Sequence, residues 1–202
     1  MKIYILRHGE AEHLLEDWKK KISYDLFVEN IYRWNNSQLT DYGKEQCRKV
    51  AKELEGKYNV IFSSPIDRTK ETAILVNTYK RPIFYEDTLK EIVIEPPKIL
   101  KRFKFSSNQW IAFCFFKTLF SKISIRLFNE VKELYSLFYL TGENEILVVS
   151  HSARIHALLL FTLFSKFLKV RKRNTKPSGV SIVEVIIKAA PIKQKGTAFT
   201  DA

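Results

Sequence analysis

The chain has 202 residues, of which 46% are hydrophobic and 28% are charged. This balance excludes a disordered or low-complexity protein, and the length is enough to bury one sizeable core. The 34 basic residues outnumber the 22 acidic ones and give a formal charge of +12, which favours anionic partners such as phosphorylated molecules, nucleic acid or an acidic membrane.

The chain opens with a short apolar run, Lys2 to Leu6, that is followed by Arg7, His8 and Gly9. A short apolar run closed by a turn residue predicts a strand that is buried on both faces. Open α/β sheets place their ligand crevices at the carboxyl ends of such strands. The strand would therefore deliver a guanidinium and an imidazole to a crevice of this kind.

Predicted strands alternate with predicted helices along the rest of the chain. Apolar runs indicate strands at 58–62, 83–85, 146–150 and 180–187. Helical spacing of apolar residues indicates helices at 12–34 (irregular), 40–56, 64–79, 107–140 (as two helices) and 152–168. The basic run 169–176 is expected to be a loop, and the tail 189–202 to be flexible. The alternation predicts one α/β domain over 1–188, with a mainly parallel sheet and a helical insertion at about 96–144.

Two of these helices have clear terminal signals. Thr40 is expected to cap the first of them, and Gly56 is a natural stop at its carboxyl end. Ser64 is expected to cap the second, with Pro65 at the first helical position. Arg68 then falls in the first turn of that helix.

Three strand-to-helix junctions carry basic or proton-bearing side chains, namely Arg7 with His8, Arg68, and His151. In a parallel sheet these junctions lie along one edge, so the four side chains can converge. Arginine offers a planar fork that matches phosphate oxygens, and helix N-termini add backbone N–H groups. The sequence therefore predicts an oxyanion site. One of the imidazoles could attack phosphorus, with a carboxylic acid protonating the leaving oxygen.

Four segments resemble, in order and spacing, the signatures of the histidine phosphatase superfamily, which has the phosphoglycerate mutase-like fold. They are Leu6-Arg7-His8-Gly9-Glu10, Leu39-Thr40-x-x-Gly43, Ser63-Ser64-Pro65-x-x-Arg68-x-x-x-Thr72-Ala73 and Val149-Ser150-His151. The resemblance covers 1–95 and 145–186. It implies a three-layer sandwich with helices on both faces of the sheet. It also implies a metal-independent, cofactor-free phosphoric monoester hydrolase of the histidine acid phosphatase type.

By this resemblance, His8 would be the nucleophile that becomes phosphorylated. The rest of the phosphate pocket would be formed by Arg7, Arg68 and His151, the last of which would also take part in catalysis. Glu91, in the segment Leu89-Lys90-Glu91, corresponds to the general acid and base of the family. Glu95 and Glu10 are the alternatives for that role.

Departures from the mutase pattern favour a phosphatase. Mutase-type members usually carry a hydroxyl residue and an asparagine where this chain has Ala11 and Leu14. The opening Arg-His-Gly-Glu-Ala instead resembles the small phosphohistidine and phosphomonoester phosphatases. The favoured function is therefore hydrolysis of a phosphomonoester or phosphohistidine. A non-catalytic phosphoryl-binding or membrane-surface module and a phosphoglycerate-type mutase are the alternatives.

Expected partners are a phosphorylated small molecule or a phosphoprotein, whereas the chain has no motif typical of nucleic-acid binding. No metal is expected, since His13 and His156 follow His8 and His151 by five residues, a spacing that does not share a helix face. Residues 110–122 are expected to form a helix that covers the active site. The alternative is a basic aromatic helix on an acidic membrane, supported by the basic run 171–173.

The expected location is the cytoplasm, with peripheral membrane attachment as the alternative. Cys47 and Cys114 form no CxxC pair, which is typical of a reduced chain. The first residues have no signal-peptide pattern. The sequence does not indicate an oligomeric state.

Overall fold

The computed structural model describes residues 1–119 and 121–186, in which we number eight strands and six helices. The strands are β1 Lys2–Arg7, β2 Lys21–Ser23, β3 Val60–Ser63, β4 Ile83–Tyr85, β5 Lys104–Ser106, β6 Glu145–Ser150, β7 Leu168–Lys172 and β8 Val180–Val185. The helices are α1 Tyr24–Asn35, α2 Asp41–Glu53, α3 Asp67–Val76, α4 Ser107–Leu119, α5 Lys122–Leu140 and α6 Ser152–Phe161. Short 3-10 turns cover Glu12–Leu15, Asp87–Leu89 and Lys98–Leu100.

Six strands form the central sheet in the order β4-β3-β6-β1-β8-β7. The first four are parallel, and β8 and β7 add an antiparallel edge. The carboxyl ends of β1, β3 and β6 therefore lie along one edge of the sheet. The predicted mainly parallel α/β sheet is confirmed.

The sheet separates two hydrophobic layers because successive side chains of a strand point to opposite faces. Ile3 and Ile5 of β1 pack with α5 and α6 on one face. Tyr4 and Leu6 pack with α2 and α3 on the other face. Three layers result, with β1 and β6 in the middle of the core.

A smaller aromatic cluster lies above the carboxyl edge of the sheet. It joins α1, α4 and a two-stranded ribbon of β2 and β5. Trp110 is fully buried in it and stacks on Phe27, with ring centroids 5.8 Å apart. Trp110 Nε1 donates to the backbone oxygen of Ile22 at 3.1 Å. The segment 96–144, expected to be a helical insertion, thus contains strand β5 as well as α4 and α5.

Several predicted boundaries are wrong. The irregular helix at 12–34 is a 3-10 turn, strand β2 and then α1. The helix expected at 64–79 begins only at Asp67, and Ile66 at its N-cap makes no side-chain cap. The helix expected to reach 168 ends at Phe161.

The basic run 169–176 was expected to be a loop, but its first part belongs to strand β7. Leu168 and Val170 pack against the hydrophobic core, and the strand pairs with β8. Pairing with an existing edge and burial of alternate side chains outweigh the low strand propensity of lysine and arginine. The tail 189–202 lies outside the described residues.

Candidate active site

The turn after β1 lies unusually close to helix α2. A Cβ atom on Gly9 would lie 2.5 Å from the carbonyl oxygen of Gly43, and one on Gly43 would overlap the backbone of Glu10. Two glycines are therefore required at this contact. The side chain of Thr40 caps α2 by accepting from Gly43 N–H at 2.9 Å, and the N–H of Gly9 donates to Thr72 Oγ1 at 3.3 Å. These contacts fix the backbone on which His8 is carried.

Arg68 joins the two histidines at the carboxyl edge of the sheet. Its Nε donates to His8 Nε2 at 3.3 Å, and its Nη2 donates to His151 Nδ1 at 3.0 Å. The two imidazole centroids are 5.3 Å apart, and all three side chains are buried. The structure thus brings together side chains that are more than 140 positions apart in the sequence.

The end of helix α1 holds the other side of the Arg68 guanidinium. Its Nη1 donates to the backbone oxygens of Trp34 and Asn35, at 3.0 and 2.8 Å. The last carbonyl groups of a helix have no partner within the helix and carry partial negative charge. They therefore orient the arginine and partly compensate its buried charge.

Hydrogen bonds assign the tautomers of both histidines. His8 Nδ1 lies 2.7 Å from the carbonyl oxygen of Gly9, so Nδ1 carries the proton and Nε2 keeps a lone pair. His151 Nδ1 accepts from Arg68, and its Nε2 therefore donates to Ser64 Oγ at 2.9 Å. Ser64 was predicted to cap α3, which is wrong, and its side chain instead orients His151 in the pocket.

Burial and positive neighbours keep both imidazoles neutral. Burial, with Arg68 as the next contribution, lowers the pKa of His8 well below its usual value. The same two causes lower the pKa of His151. A neutral imidazole keeps a lone pair on Nε2, and in this structure that lone pair accepts from Arg68 Nε at 3.3 Å. Attack by His8 therefore requires that the Arg68 N–H turns from Nε2 to an oxygen of the bound phosphoryl group.

Arg7 brings a second guanidinium, with an unused donor. Its Nη1 donates to the backbone oxygen of Thr175 at 3.1 Å. Its Nε is buried and has no partner among the described residues. Burial lowers the pKa of Arg7, and Glu91 opposes that shift. A buried N–H without an acceptor is costly, so a bound oxyanion would satisfy it.

Of the three candidate acids, Glu91 is the one near the histidines. Its Oε2 lies 3.9 Å from His151 Nδ1, and its side chain is 24% exposed. Burial raises the pKa of Glu91, although Arg68 opposes the shift. Glu95 instead accepts from Tyr32 at 3.4 Å.

The Glu10 carboxylate is also held by another contact, away from the position expected of the general acid. Its Oε1 accepts from Thr40 Oγ1 at 3.1 Å at the start of α2. The segment that carries Glu91 and Glu95 forms no strand, so the alternation that related their side chains does not apply.

An aromatic wall beside the pocket was missed by the sequence analysis. The His13 ring lies 6.1 Å from that of His8, and its Nδ1 is 2.6 Å from Ser37 Oγ. Burial, with Arg68 next, lowers the pKa of His13 to about 3. Trp18 stacks on Trp34 at 4.7 Å behind His13. The spacing rule applied to His13 concerns a regular helix, whereas this residue lies in a 3-10 turn.

No cluster of three or more His, Cys, Asp or Glu side chains suited to a metal ion occurs within 1–119 and 121–186. His156 stays within α6, where its Nδ1 lies 2.7 Å from the backbone oxygen of Ser152. No helix in the described part of the chain is long and apolar enough to cross a membrane.

Comparison with known proteins gives one family and one fold. The model of the histidine phosphatase superfamily (branch 1) matches residues 3–104, which is half of the chain. No curated protein matches significantly. Phosphoserine phosphatase from Entamoeba histolytica, in complex with 3-phosphoglyceric acid, is a similar solved structure. It has 22% identity and a TM-score of 0.60, over 90% of this chain and 89% of the other.

Two further solved structures are similar. YhfR from Bacillus stearothermophilus has 18% identity and a TM-score of 0.57, over 93% of this chain and 96% of the other. A mycobacterial glucosyl-3-phosphoglycerate phosphatase has 14% identity and a TM-score of 0.53, over 81% and 80%. These likenesses agree with the predicted three-layer fold, which is confirmed.

Proposed function

Because the chain belongs to the histidine phosphatase superfamily (branch 1), as its four motif segments predicted, we propose that it is a phosphatase. It hydrolyses a phosphomonoester or phosphohistidine through a phosphohistidine intermediate on His8. Arg7, Arg68 and His151 bind the phosphoryl group, and Glu91 is the general acid and base. The phosphatase names of two structurally similar proteins support hydrolysis as the reaction class.

The single observation that carries this proposal is the arrangement of donors around His8 Nε2. The Arg68 guanidinium contacts His8 Nε2 and His151 Nδ1, at 3.3 and 3.0 Å, and Arg7 keeps a buried N–H without a partner. Preorganised cationic donors stabilise the charge that spreads over the equatorial oxygens during phosphoryl transfer. An oxyanion beside His8 would accept from both arginines.

In the first step, the lone pair on His8 Nε2 attacks phosphorus and the bond from phosphorus to the leaving oxygen breaks. The proton on Glu91 passes to that oxygen, so that a neutral alcohol leaves. The raised pKa of Glu91 supports a protonated carboxyl at the start of this step. The Nδ1–H bond to the carbonyl oxygen of Gly9 supports the positive charge that develops on the imidazole.

In the second step, the Glu91 carboxylate takes a proton from water as the water oxygen attacks phosphorus. The bond between phosphorus and His8 Nε2 breaks, phosphate is released and the neutral imidazole returns. The side chain of Glu91 is 24% exposed, which supports access of both water and the leaving group. No step in this sequence needs a metal ion, and metal independence remains a prediction.

Replacing His8 by alanine tests the proposal. We expect phosphate release from a panel of phosphomonoesters, phosphopeptides and phosphohistidine to fall by at least about 10³-fold. The matched control is His156→Ala, a histidine in α6 outside the pocket, which should retain the wild-type rate. Incubation of the wild-type protein with labelled substrate and rapid acid-free quenching should trap an acid-labile phosphohistidine.

Two outcomes would contradict the proposal. Turnover that persists in the His8→Ala protein would exclude His8 as the nucleophile. If wild-type protein binds phosphorylated molecules but shows no turnover without added metal, the non-catalytic binding module would be the better description. Vanadate, which imitates the five-coordinate phosphorus of the transfer, should inhibit a true phosphatase of this type.

A further inference from the structure

His13 lies beside the reacting nitrogen of His8, on the side where the phosphoryl group would bind. The backbone oxygen of Trp34 accepts from Arg68 Nη1 at 3.0 Å and from Ser37 Oγ at 2.9 Å. Ser37 Oγ lies 2.6 Å from His13 Nδ1. Because the same Arg68 guanidinium donates to His8 Nε2, this chain of contacts places His13 on the Nε2 side of His8. The two imidazole centroids are 6.1 Å apart, so a group bound at His8 Nε2 lies next to His13.

The hydrogen bonds of Ser37 determine the tautomer of His13. The two contacts of its Oγ atom, at 2.6 and 2.9 Å, each need a hydrogen between the heavy atoms. The Trp34 carbonyl oxygen carries no hydrogen, and the hydroxyl supplies only one. The hydroxyl therefore donates to Trp34, and His13 Nδ1–H donates to Ser37. His13 Nε2 keeps an accessible lone pair that no donor contacts within 1–119 and 121–186.

The pocket keeps the His13 ring neutral. Burial, followed by Arg68 and then Arg7, lowers the pKa of His13 to about 3. A base this weak does not hold a proton taken from water, which leaves the general-base role with Glu91. The same positive neighbours disfavour an ammonium or guanidinium group of a ligand beside the ring. His13 Nε2 is therefore an acceptor suited to a neutral donor.

We propose that His13 Nε2 accepts a hydrogen bond from a hydroxyl group of the leaving alcohol, which makes phosphate esters of polyols the preferred substrates. This inference rests on the phosphatase function proposed above and narrows its substrate class. The oxygens of a phosphoryl dianion are acceptors, so they pair with the arginines and not with this lone pair. A hydroxyl hydrogen rotates about its C–O bond and can be directed at a fixed nitrogen, whereas an amide N–H is held in the plane of its amide.

Aromatic rings pack around the other sides of His13. Trp18 meets the imidazole edge-on, with ring centroids 6.4 Å apart, and stacks on Trp34 at 4.7 Å. The Trp34 ring is itself 6.3 Å from that of His13. These rings limit the access of water, so a ligand that lacks the donor leaves the acceptor poorly paired. The site is therefore expected to discriminate between alcohols, and not merely to tolerate a hydroxyl group.

Matched esters test the proposal in the wild-type protein. The probes are propyl phosphate, the 1-phosphate of propane-1,2-diol and the monophosphate of propane-1,3-diol, which share a carbon chain and differ by one hydroxyl group. We expect the better diol ester to have a kcat/KM about 10–100-fold above that of propyl phosphate. Equal kcat/KM values for all of these esters would overturn the proposal.

Binding measured without turnover separates this inference from the phosphatase function. Calorimetry with the His8→Ala protein should show the same preference for a diol ester in Kd. If the wild-type protein hydrolyses none of the esters, the phosphatase proposal fails, while a preference in Kd still supports the acceptor. Absence of that preference in Kd would overturn the acceptor whether or not turnover occurs.

Two variants of His13 separate its acceptor from its ring. His13→Phe keeps an aromatic ring without a lone pair, and the ratio of kcat/KM between diol and propyl esters should fall to about 1. His13→Gln offers an amide oxygen and should restore part of the preference. The matched control is His156→Phe, on α6 outside the pocket, which should keep the wild-type ratio. Equal losses on all esters in His13→Phe, with an unchanged ratio, would limit His13 to a structural role and overturn the proposal.

Heteronuclear NMR of the wild-type protein checks the tautomer directly and does not depend on the folding of any variant. Near neutral pH, His13 should have a protonated Nδ1 and an unprotonated Nε2. A proton on Nε2 would make this nitrogen a donor to the phosphoryl group and overturn the proposal. A preference for N-acetylphosphoserine amide over the diol esters, abolished in His13→Phe, would assign the acceptor to an amide N–H and overturn the choice of a polyol.

Discussion

Replacing Arg68 by lysine tests whether the guanidinium fork, and not merely a positive charge, organises the pocket. Arg68 serves four acceptors: His8 Nε2, His151 Nδ1 and the backbone oxygens of Trp34 and Asn35. A lysine ammonium is a compact point charge and cannot reach both the histidine pair and the carbonyl pair. At least two acceptors would lose their donor.

The size of the effect follows from those contacts. Losing two hydrogen bonds from a charged donor costs roughly 2–4 kcal/mol of folding free energy, or about 5–15 °C in Tm for a chain of this length. Loss of a preorganised donor to the transferring phosphoryl group lowers kcat by about 10²–10³-fold. Thermal unfolding and steady-state phosphate release measure the two effects separately.

The control for this variant is Arg48→Lys, an exposed arginine on α2, which should leave both Tm and kcat unchanged. If Arg68→Lys kept the wild-type kcat/KM, the fork would not bind the transferring group and the proposed role of Arg68 would be wrong. A fall in Tm with unchanged kcat would limit Arg68 to a structural role.

Three other perturbations have distinct expected results. Glu91→Gln should lower kcat most for substrates with poor leaving groups, because they need a proton from the general acid. It should also remove the decline in rate that the wild-type protein shows as pH rises through the raised pKa of Glu91. Rate profiles against pH for phosphate esters with alcohol and with phenol leaving groups measure both effects. Gly43→Ala should lower the free energy of unfolding by roughly 1–3 kcal/mol in urea titrations, since its Cβ would overlap the backbone of Glu10. The control is Gly56→Ala, whose Cβ meets nothing within 4 Å. Gly56 has φ +67°, so any loss of stability in that variant measures backbone strain without a steric clash. The free energy of unfolding should fall as pH drops below about 6.5, because the lowered pKa values of His8, His13 and His151 make the unfolded chain bind more protons than the folded one. Stability that is constant between about pH 7.5 and pH 5.5 in urea titrations would contradict the burial of these rings.

Much of the framework is determined locally and could be predicted from the sequence. The apolar runs that form β1 and β6 are buried, as their composition predicts. The cap of α2 depends on a hydrogen bond between Thr40 and Gly43, which are only three residues apart. His8, Arg68 and His151 could also be placed at strand-to-helix junctions, because the apolar runs and turn residues next to them mark those junctions locally. In a parallel sheet, those junctions must share one edge.

Other features depend on contacts between distant parts of the chain. Strand β7 forms because β8 offers it an edge and the core accepts Leu168 and Val170. The strand propensity of residues 168–172 does not indicate that β8 offers an edge for pairing. Likewise, Ser64 was predicted to cap a helix, but its side chain contacts His151, which lies 87 positions away.

By itself, the sequence determined the buried strands and the cap at Thr40, because each depends on residues within a few positions. It also determined the edge of the sheet at which Arg7, His8, Arg68 and His151 meet, because the carboxyl ends of parallel strands share one edge. The predicted cap at Ser64 was wrong, since α3 begins only at Asp67. Only the tertiary structure decided that Glu91, and neither Glu95 nor Glu10, lies beside His151. It also decided that His13 lines the pocket and that apolar side chains at the end of α6 stay exposed. Loops and turns carry these residues, and their positions are set by packing against elements far away in the chain, which a local pattern does not encode.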